Sequence, residues 1–443
     1  MPPVGNARRT ASRHGSYTVG HLDSRARRAQ MAISQGFPPA GIANMTDRTD
    51  AAPTAGGFTF FLLALAAGLG AANLYYAQPL VALIGADIGL DETLASLVVT
   101  IGQVGYILGL LLLVPLGDIV ENRRLIGSIL ICAAVGLGLA FVASEPALFL
   151  FAALVFGVGS VVAQVAVPFA AHLARPEERG RKVGSVVSGL MTGILLARPV
   201  SSLVAHFLGW RAVFLLAALL ILALAVGLRI ALPQRRPATT TGGGASYGAL
   251  VASLWPLMRS QPILRRRAAY QAAMFCVFTL FWTAVPLLLA SPQFGFGQEG
   301  IAIFALAGAA SVFISPLAGW IADRGWSRAA TGAALLLAIA GFLVTELGVA
   351  TSSVVVLAIG AIVLDCAATA NLVFGQRAIF MLAPEIRSRL NALYIATFFL
   401  GGALGSALAS PLYEVAGWGS VTLAGSAIMI LALLYYATEF RRG

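Results

Sequence analysis

Long apolar stretches separated by short polar segments dominate this chain of 443 residues. A stretch of about 20 apolar residues is long enough to cross a bilayer as a helix. The sequence contains twelve such stretches, which begin near positions 58, 94, 125, 148, 183, 212, 268, 300, 329, 353, 389 and 419. This pattern predicts an all-α membrane protein with twelve transmembrane helices, counted below as spans one to twelve.

The polar segments between these stretches repeat and divide the chain into two halves. A Pro-Glu-x-Arg-x-Arg segment at 176–181 recurs at 384–389, and the Gly-Trp pair at 209–210 recurs at 417–418 with the same offset. Pairs at nearly that offset are Asp118 with Asp323, Pro79 with Pro286, Tyr75 with Trp282 and Gly193 with Gly401. The repeats predict two pseudo-symmetric six-helix bundles. A site held between two repeats can open to one side and then to the other, which is typical of a transporter.

Composition shifts place the domain boundaries. We expect a disordered cytoplasmic tail over 1–56, a six-helix bundle over 57–232, a cytoplasmic linker over 233–267, and a second bundle with a short tail over 268–443. Within the linker, apolar residues recur at helical spacing and predict a short helix at the membrane surface. These residues are Val251, Leu254, Leu257 and Met258.

Composition and charge agree with a membrane location. Hydrophobic residues make up 59% of the chain and charged residues 11%, against about 25% charged in soluble domains. Almost all arginines of the body fall in alternate loops, while the other loops are acidic. By the positive-inside rule both termini are cytoplasmic and the protein lies in the inner (plasma) membrane. This rule explains the net charge of +11 without a nucleic-acid partner.

Two loops carry a carboxylate followed by arginines. Residues 115–124 contain Asp118, Arg123 and Arg124, and residues 319–328 contain Asp323, Arg324 and Arg328. These loops resemble the Gly-x-Leu-Ala-Asp-Arg-x-Gly-Arg-Arg signature of the major facilitator superfamily, and the resemblance extends over 57–440. It implies that Asp118 contacts the start of span eleven and Asp323 the start of span five, as latches on the cytoplasmic face. Alternatively, these charges only set the topology.

Span five carries small residues one turn apart, Gly189, Gly193 and Ala197, followed by Pro199. Such a face allows close approach of another helix. The segment is similar to the glycine-proline motif of proton-coupled exporters in the superfamily. It departs from that motif at Arg198, where those exporters have glycine.

Two charged residues fall inside apolar spans. Arg198 costs about 2.5–3.5 kcal/mol to insert unless it faces a cavity or a partner, so we expect it to bind an anionic group of the substrate or an internal acid. Snorkelling to the outer surface is the alternative. Asp365 in span ten lies near the middle of its span. It is the candidate for proton coupling, and the alternatives are a static partner of Arg198 or exposure near the outer mouth.

Uncharged polar side chains lie in spans that would line a central pathway. Aromatic and amide groups fit a mixed, partly apolar pocket for an amphipathic organic molecule, although each alone could be a helix–helix hydrogen bond. The candidate substrate contacts, besides Arg198, are Asn73, Tyr75, Gln103, Gln164, Trp282 and Asn371.

The sequence therefore predicts a secondary active transporter, with proton-driven export of a small organic molecule as the leading function. Uptake of a small organic anion with protons is the alternative, and a non-transporting membrane sensor is a further one. No nucleotide-binding signature, catalytic constellation or metal-ligand spacing is present. We expect a monomeric protein in the lipid bilayer that is not an enzyme and that needs neither cofactor nor metal.

Overall fold

The computed structural model describes residues 56–175, 177–234, 247–382 and 387–440. Residues 1–55 of the predicted tail, residues 235–246 of the linker, and Pro176 and 383–386 of the repeated segments lie outside these ranges. Every regular element within them is helical, which confirms the all-α prediction. The α-helices are α1 (Gly57–Ala72), α2 (Val81–Ile88), α3 (Leu97–Leu112), α4 (Asn122–Val142), α5 (Pro146–Gly159), α6 (Val162–Leu173), α7 (Arg179–Leu208), α8 (Trp210–Ala231), α9 (Tyr247–Ala252), α10 (Leu254–Ser260), α11 (Pro262–Ala290), α12 (Gln298–Ala305), α13 (Ile314–Asp323), α14 (Ser327–Ala350), α15 (Val354–Phe380) and α16 (Arg387–Ala437).

Nine helical segments of the described part are long and apolar enough to cross a membrane. In lipid, each backbone amide must be satisfied within its own segment, so apolar runs of this length form helices rather than open strands. Shorter apolar helices cover Gly57–Ala72, Gln78–Ile88 and Gln298–Gly308. The number twelve stays a prediction.

The repeated Gly-Trp pair breaks a helix at corresponding places in the two halves. Gly209 (φ 82°) separates α7 from α8, and Gly417 (φ 64°) interrupts α16. Glycine adopts positive φ without the steric cost that a Cβ would impose. The tryptophan that follows is buried in both halves and donates a hydrogen bond, from Trp210 to Asp87 (3.2 Å) and from Trp418 to Thr345 (3.3 Å). The sequence repeat is therefore also a structural repeat at this position.

The glycine face of α7 packs directly on α1. A Cβ at Gly193 would lie 2.1 Å from the carbonyl oxygen of Gly68, and one at Gly189 would lie 2.5 Å from that of Ala64. No side chain fits in such a gap, so the two backbones touch. The structure confirms the close approach that the spacing of small residues predicts.

The linker helices α9 and α10 touch both halves. Tyr247 donates to the carbonyl of Leu112 at the end of α3 (2.8 Å), and Arg389 at the start of α16 donates to the Ser253 hydroxyl (3.2 Å). Leu254 is buried, and Leu257 and Met258 pack against the larger apolar core. The helical spacing in this segment thus corresponds to helices. We call the end of the molecule where they lie the linker side, and the opposite end the far side.

On the far side, hydroxyl groups join α16 to α3 and to the residue that precedes α3. The backbone N–H of Ser96 donates to the hydroxyl of Ser410 (3.1 Å), and the hydroxyls of Thr100 and Ser406 are 3.0 Å apart. All four residues are buried. We call this group the hydroxyl seam, and it joins the first half of the sequence to the second.

Candidate functional site

Arg198 lies in the far-side half of α7, before Pro199, and is only 5% exposed. Its Nε donates to the side-chain carbonyl of Gln78 at 2.7 Å. Its Nη2 is buried and has no hydrogen-bond partner among the described residues. A buried guanidinium nitrogen without an acceptor is costly, so this nitrogen is open to a ligand.

Three aromatic rings surround the guanidinium. The centroids of Trp282, Tyr75 and Phe278 lie 4.5, 5.0 and 5.2 Å from its central carbon. A desolvated cation–π contact is worth up to about 2 kcal/mol. Together the rings can offset an insertion cost of about 2.5–3.5 kcal/mol for an arginine within a span. Arg198 therefore does not snorkel to the surface but is held inside the protein.

Trp282 connects Arg198 to Asp365. Its ring lies over the guanidinium, while its indole N–H donates to Oδ1 of Asp365 at 2.7 Å. Asp365 in α15 is 4% exposed. Among the described residues, Arg198 and Asp365 form no direct salt bridge, and the contact between them runs through the indole ring. Spans five, seven and ten thus contribute one side chain each to a connected buried group, which we call the Arg–Trp–Asp cluster (Arg198, Trp282, Asp365).

The other oxygen of Asp365 faces Gly308. A Cβ at this position would lie 2.8 Å from Oδ2 of Asp365 and 3.0 Å from Cζ2 of Trp282. Both distances are shorter than normal van der Waals contacts. Residue 308, in the segment after α12, must therefore lack a side chain for the carboxylate and the indole to occupy their positions.

A cavity of about 10 Å³ borders Arg198 and Trp282. This volume holds roughly one water molecule. Its remaining walls are apolar and come from Pro79, Val285, Pro286, Leu289, Ile301, Phe304 and Ala305. The Arg–Trp–Asp cluster is closed to an organic molecule in this conformation.

The other predicted substrate contacts are buried but do not all touch the cluster. Tyr75 does, through Arg198. Asn73 is 1% exposed, and neither of its side-chain polar atoms has a partner within the described chain. Gln164 donates to Tyr106 at 3.2 Å. Gln103 packs against Gly402, where a Cβ would lie 2.6 Å from its Oε1.

Asn371 lies two turns from Asp365 towards the linker side. It donates to Gln271 at 2.6 Å within the second half of the sequence. Both residues are 2% exposed. This pair is a satisfied helix–helix hydrogen bond between α15 and α11, and a substrate role for Asn371 stays a prediction.

The predicted gating side chains that the structure describes contact neighbours in their own half. The side chain of Asp118 lies outside the described part, so its contact with the start of span eleven stays a prediction, as does the contact of Asp323 with the start of span five. The observed contacts are Arg123 with the Leu232 carbonyl (3.2 Å), Arg124 with Glu121 (2.9 Å), Asp323 with Arg377 (2.5 Å), Arg324 over the Trp320 ring (3.5 Å) and Arg328 with Glu439 (3.4 Å).

Two residues of the site, Phe278 and Gly308, did not stand out as candidates in the sequence. Phe278 lies one turn before Trp282 on the same helix face, so the i, i+4 spacing of two aromatic residues could have indicated it. Gln78 is one of the amide side chains that the sequence places in span one, where they would line the pathway. Gly308 carries no signal of its own, because a glycine in an apolar run is common in membrane helices.

Comparisons with known proteins agree on one family. The sequence model of the family described as Major Facilitator Superfamily matches residues 60–375. The chain is 39% identical over 381 residues to the uncharacterized transporter YgaY of Escherichia coli O157:H7, covering 86% of this chain and 95% of that protein. It is 28% identical over 370 residues to a chloramphenicol resistance protein of Streptomyces lividans, covering 83% of each. The crystal structure of the nucleoside transporter NupG superimposes with a TM-score of 0.70 at 13% identity, covering 86% of this chain and 99% of that one.

Proposed function

The chain belongs to the major facilitator superfamily, and we propose that it is a secondary transporter that carries a small organic molecule by alternating access, coupled to protons. As a member it is a transporter, not an enzyme, and a multi-pass membrane protein. The observation that supports the proposed mechanism is the Arg–Trp–Asp cluster. It places a cationic group with an unpaired nitrogen over the face of one indole ring and a titratable carboxylate at the N–H edge of the same ring.

We infer twelve crossings in two six-helix bundles, 57–232 and 268–443. The candidate span Arg389–Ala437 has 49 residues, more than twice what one crossing needs, and its non-helical residues Ala416 and Gly417 would divide it into spans eleven and twelve. The helices over 57–88 and 298–323 would supply spans one and eight. The loop arginines support cytoplasmic termini and an inner-membrane location, and we expect a monomer.

In this mechanism Asp365 would exchange protons with the two sides of the membrane in turn. Arg198 and Trp282 would contact the substrate together with Tyr75, while Asn73, Gln103, Gln164 and Asn371 would line the rest of the pathway. The loops that carry Asp118, Asp323 and their arginines would close the linker side in the alternate state. The hydroxyl seam would close the far side in the present state, which its contacts between α3 and α16 support.

Two directions of transport have support from different observations. Export by proton antiport is favoured by the glycine face of α7 and by the name of the Streptomyces lividans relative, a chloramphenicol resistance protein. Uptake of an organic anion with protons is favoured by the unpaired Nη2 of Arg198.

Inverted membrane vesicles with an imposed proton gradient, acid inside, test the function. Ligands are first selected by thermal shift of the purified protein against antibiotics, sugars, amino acids and organic acids, because a ligand that binds the native state raises its melting temperature. We expect substrate movement to collapse when the gradient is removed by an uncoupler. An exporter accumulates the ligand inside these vesicles, and an importer does not. Substrate movement that does not depend on the proton gradient would contradict proton coupling.

A further inference from the structure

The guanidinium of Arg198 lies among aromatic rings and has a buried nitrogen without an acceptor. Trp282, Tyr75 and Phe278 lie over or beside it, and Gln78 accepts from Nε. Nη2 is buried and lacks an acceptor within the described residues. Because its N–H bonds point outward in the plane of the guanidinium, a ligand that accepts from Nη2 approaches in that plane. A planar guanidinium donor matches carboxylate and phosphate acceptors, and of these a carboxylate carries the single negative charge that one guanidinium balances.

The charge of the Arg–Trp–Asp cluster depends on the protonation of Asp365. The charged or titratable groups that act on this carboxylate from packed neighbours are Arg198 from α7 and Tyr75 from the turn after α1, and Cys366 adjoins it in α15. With Asp365 ionised, the arginine and the carboxylate sum to zero. With Asp365 protonated, the buried cluster carries one uncompensated positive charge, which is expensive at low dielectric.

We propose that this site takes an organic carboxylate that accepts a hydrogen bond from Nη2 of Arg198, and that the carboxylate binds together with a proton on Asp365. The ligand anion and the added proton then leave the cluster neutral. The proposal rests on the proposed transport function and specifies its substrate class.

The sign of the coupling follows from reciprocity. If the anion favours protonated Asp365, the proton must favour the anion-bound protein by the same factor. The two therefore travel in the same direction, which makes the protein a proton–carboxylate symporter. An antiporter at this site needs the opposite sign, with the substrate expelling the proton. Because the present cavity holds about one water, binding also requires the cluster to open.

Thermal shift with matched acid and amide pairs tests the proposal on the full-length purified protein. The probes are acetate with acetamide, benzoate with benzamide, and phenylacetate with phenylacetamide, each measured at pH 5.5, 6.5 and 7.5. Over this range the acids stay ionised, because simple carboxyl groups titrate near about 4. We expect at least one acid to stabilise the protein more than its amide does. Its apparent Kd should fall by up to about tenfold for each unit of pH lowered, the limit for linkage to one proton.

Variants separate the two parts of the site. Arg198→Gln should abolish the preference for acid over amide, and Arg198→Lys should retain a weaker one. Asp365→Asn, which resembles the protonated acid, should keep the preference and lose its pH dependence. Arg181→Gln is the control, because Arg181 lies on the same helix but is exposed and pairs with Glu178 (2.5 Å). Gel filtration shows whether each variant is folded. If Arg198→Gln does not fold, Arg198→Lys still tests the role of the guanidinium.

Three results would overturn the proposal: no acid outperforming its amide at any pH, a preference that survives Arg198→Gln, or affinity that rises with pH. Proton flux in vesicles distinguishes this failure from failure of the proposed function. Proton flux driven by a neutral or cationic substrate would leave the transporter mechanism standing and remove the carboxylate. Acid binding with the predicted pH profile but without any proton flux would leave the carboxylate site standing and remove the transporter mechanism.

Discussion

A methyl group at Gly308 should disable the Arg–Trp–Asp cluster. In Gly308→Ala the new Cβ would lie 2.8 Å from Oδ2 of Asp365 and 3.0 Å from Cζ2 of Trp282. To restore ordinary contact, the carboxylate must move by about 0.6 Å and the indole by about 0.4 Å. The hydrogen bond between them is 2.7 Å long, and such a displacement brings it to the limit of normal geometry.

The expected magnitude combines two effects. Overpacking in a filled interior costs about 1–3 kcal/mol, so the melting temperature should fall by several degrees. A hydrogen bond to a charged group is worth about 1.5–3 kcal/mol, which corresponds to roughly 10- to 100-fold in an equilibrium constant. We therefore expect proton-coupled transport in proteoliposomes to fall at least about tenfold.

Gly138→Ala, in α4 and outside the cluster and the signature loops, provides the matched control. A Cβ at Gly138 meets nothing within 4 Å, and alanine is favoured over glycine in a helix by about 0.5–1 kcal/mol. Its melting temperature should be unchanged or slightly higher, with transport preserved. If Gly308→Ala has the same melting temperature and transport rate as this control, the carboxylate and the indole tolerate a side chain at residue 308. Our account of the cluster is then wrong.

Three further changes test other parts of the structure. Asp365→Asn should abolish proton-coupled flux in vesicles while the protein stays folded by gel filtration, and unchanged coupling would remove this residue from the mechanism. Gly193→Ala should lower the melting temperature by an amount equivalent to about 1–3 kcal/mol, because its methyl would meet the backbone of α1 at 2.1 Å. The control Gly184→Ala, whose methyl meets nothing within 4 Å in the same helix, should not lower it. Equal melting temperatures for the two variants would refute the close contact. The pair Thr100→Cys with Ser406→Cys should form a disulfide under mild oxidation that stops transport reversibly, since their hydroxyls are 3.0 Å apart; transport that continues with the bond formed would show that the seam does not open.

Sequence reasoning located the charged members of the site because an ion inside an apolar run is conspicuous. Arg198 and Asp365 stand out for this reason, and both are buried rather than turned to the lipid. Trp282 was expected as one of the polar and aromatic side chains that would line the pathway. That its ring joins the two charges depends on the register of α11 against α7 and α15, which no local pattern determines.

Contacts at the linker side were harder to predict. The signature loop suggested that Asp323 meets the start of span five, whereas here it pairs with Arg377 of α15 at 2.5 Å. Exposed ion pairs are worth little and can exchange partners. The position of a carboxylate in the signature loop therefore does not determine its partner, and the contact of Asp323 with the start of span five stays a prediction.

Two hydroxyl groups of the hydroxyl seam have acceptors on their own segments as well as across the seam. Thr100 can also donate to the carbonyl of Ser96 on its own chain (3.1 Å), and Ser406 to that of Gly402 (3.1 Å). If the far side opens, the hydroxyls of Thr100 and Ser406 can keep these bonds to their own segments instead of lacking an acceptor. Breaking the contact between these two hydroxyls should therefore cost little enthalpy, because each already has a second acceptor in its own segment.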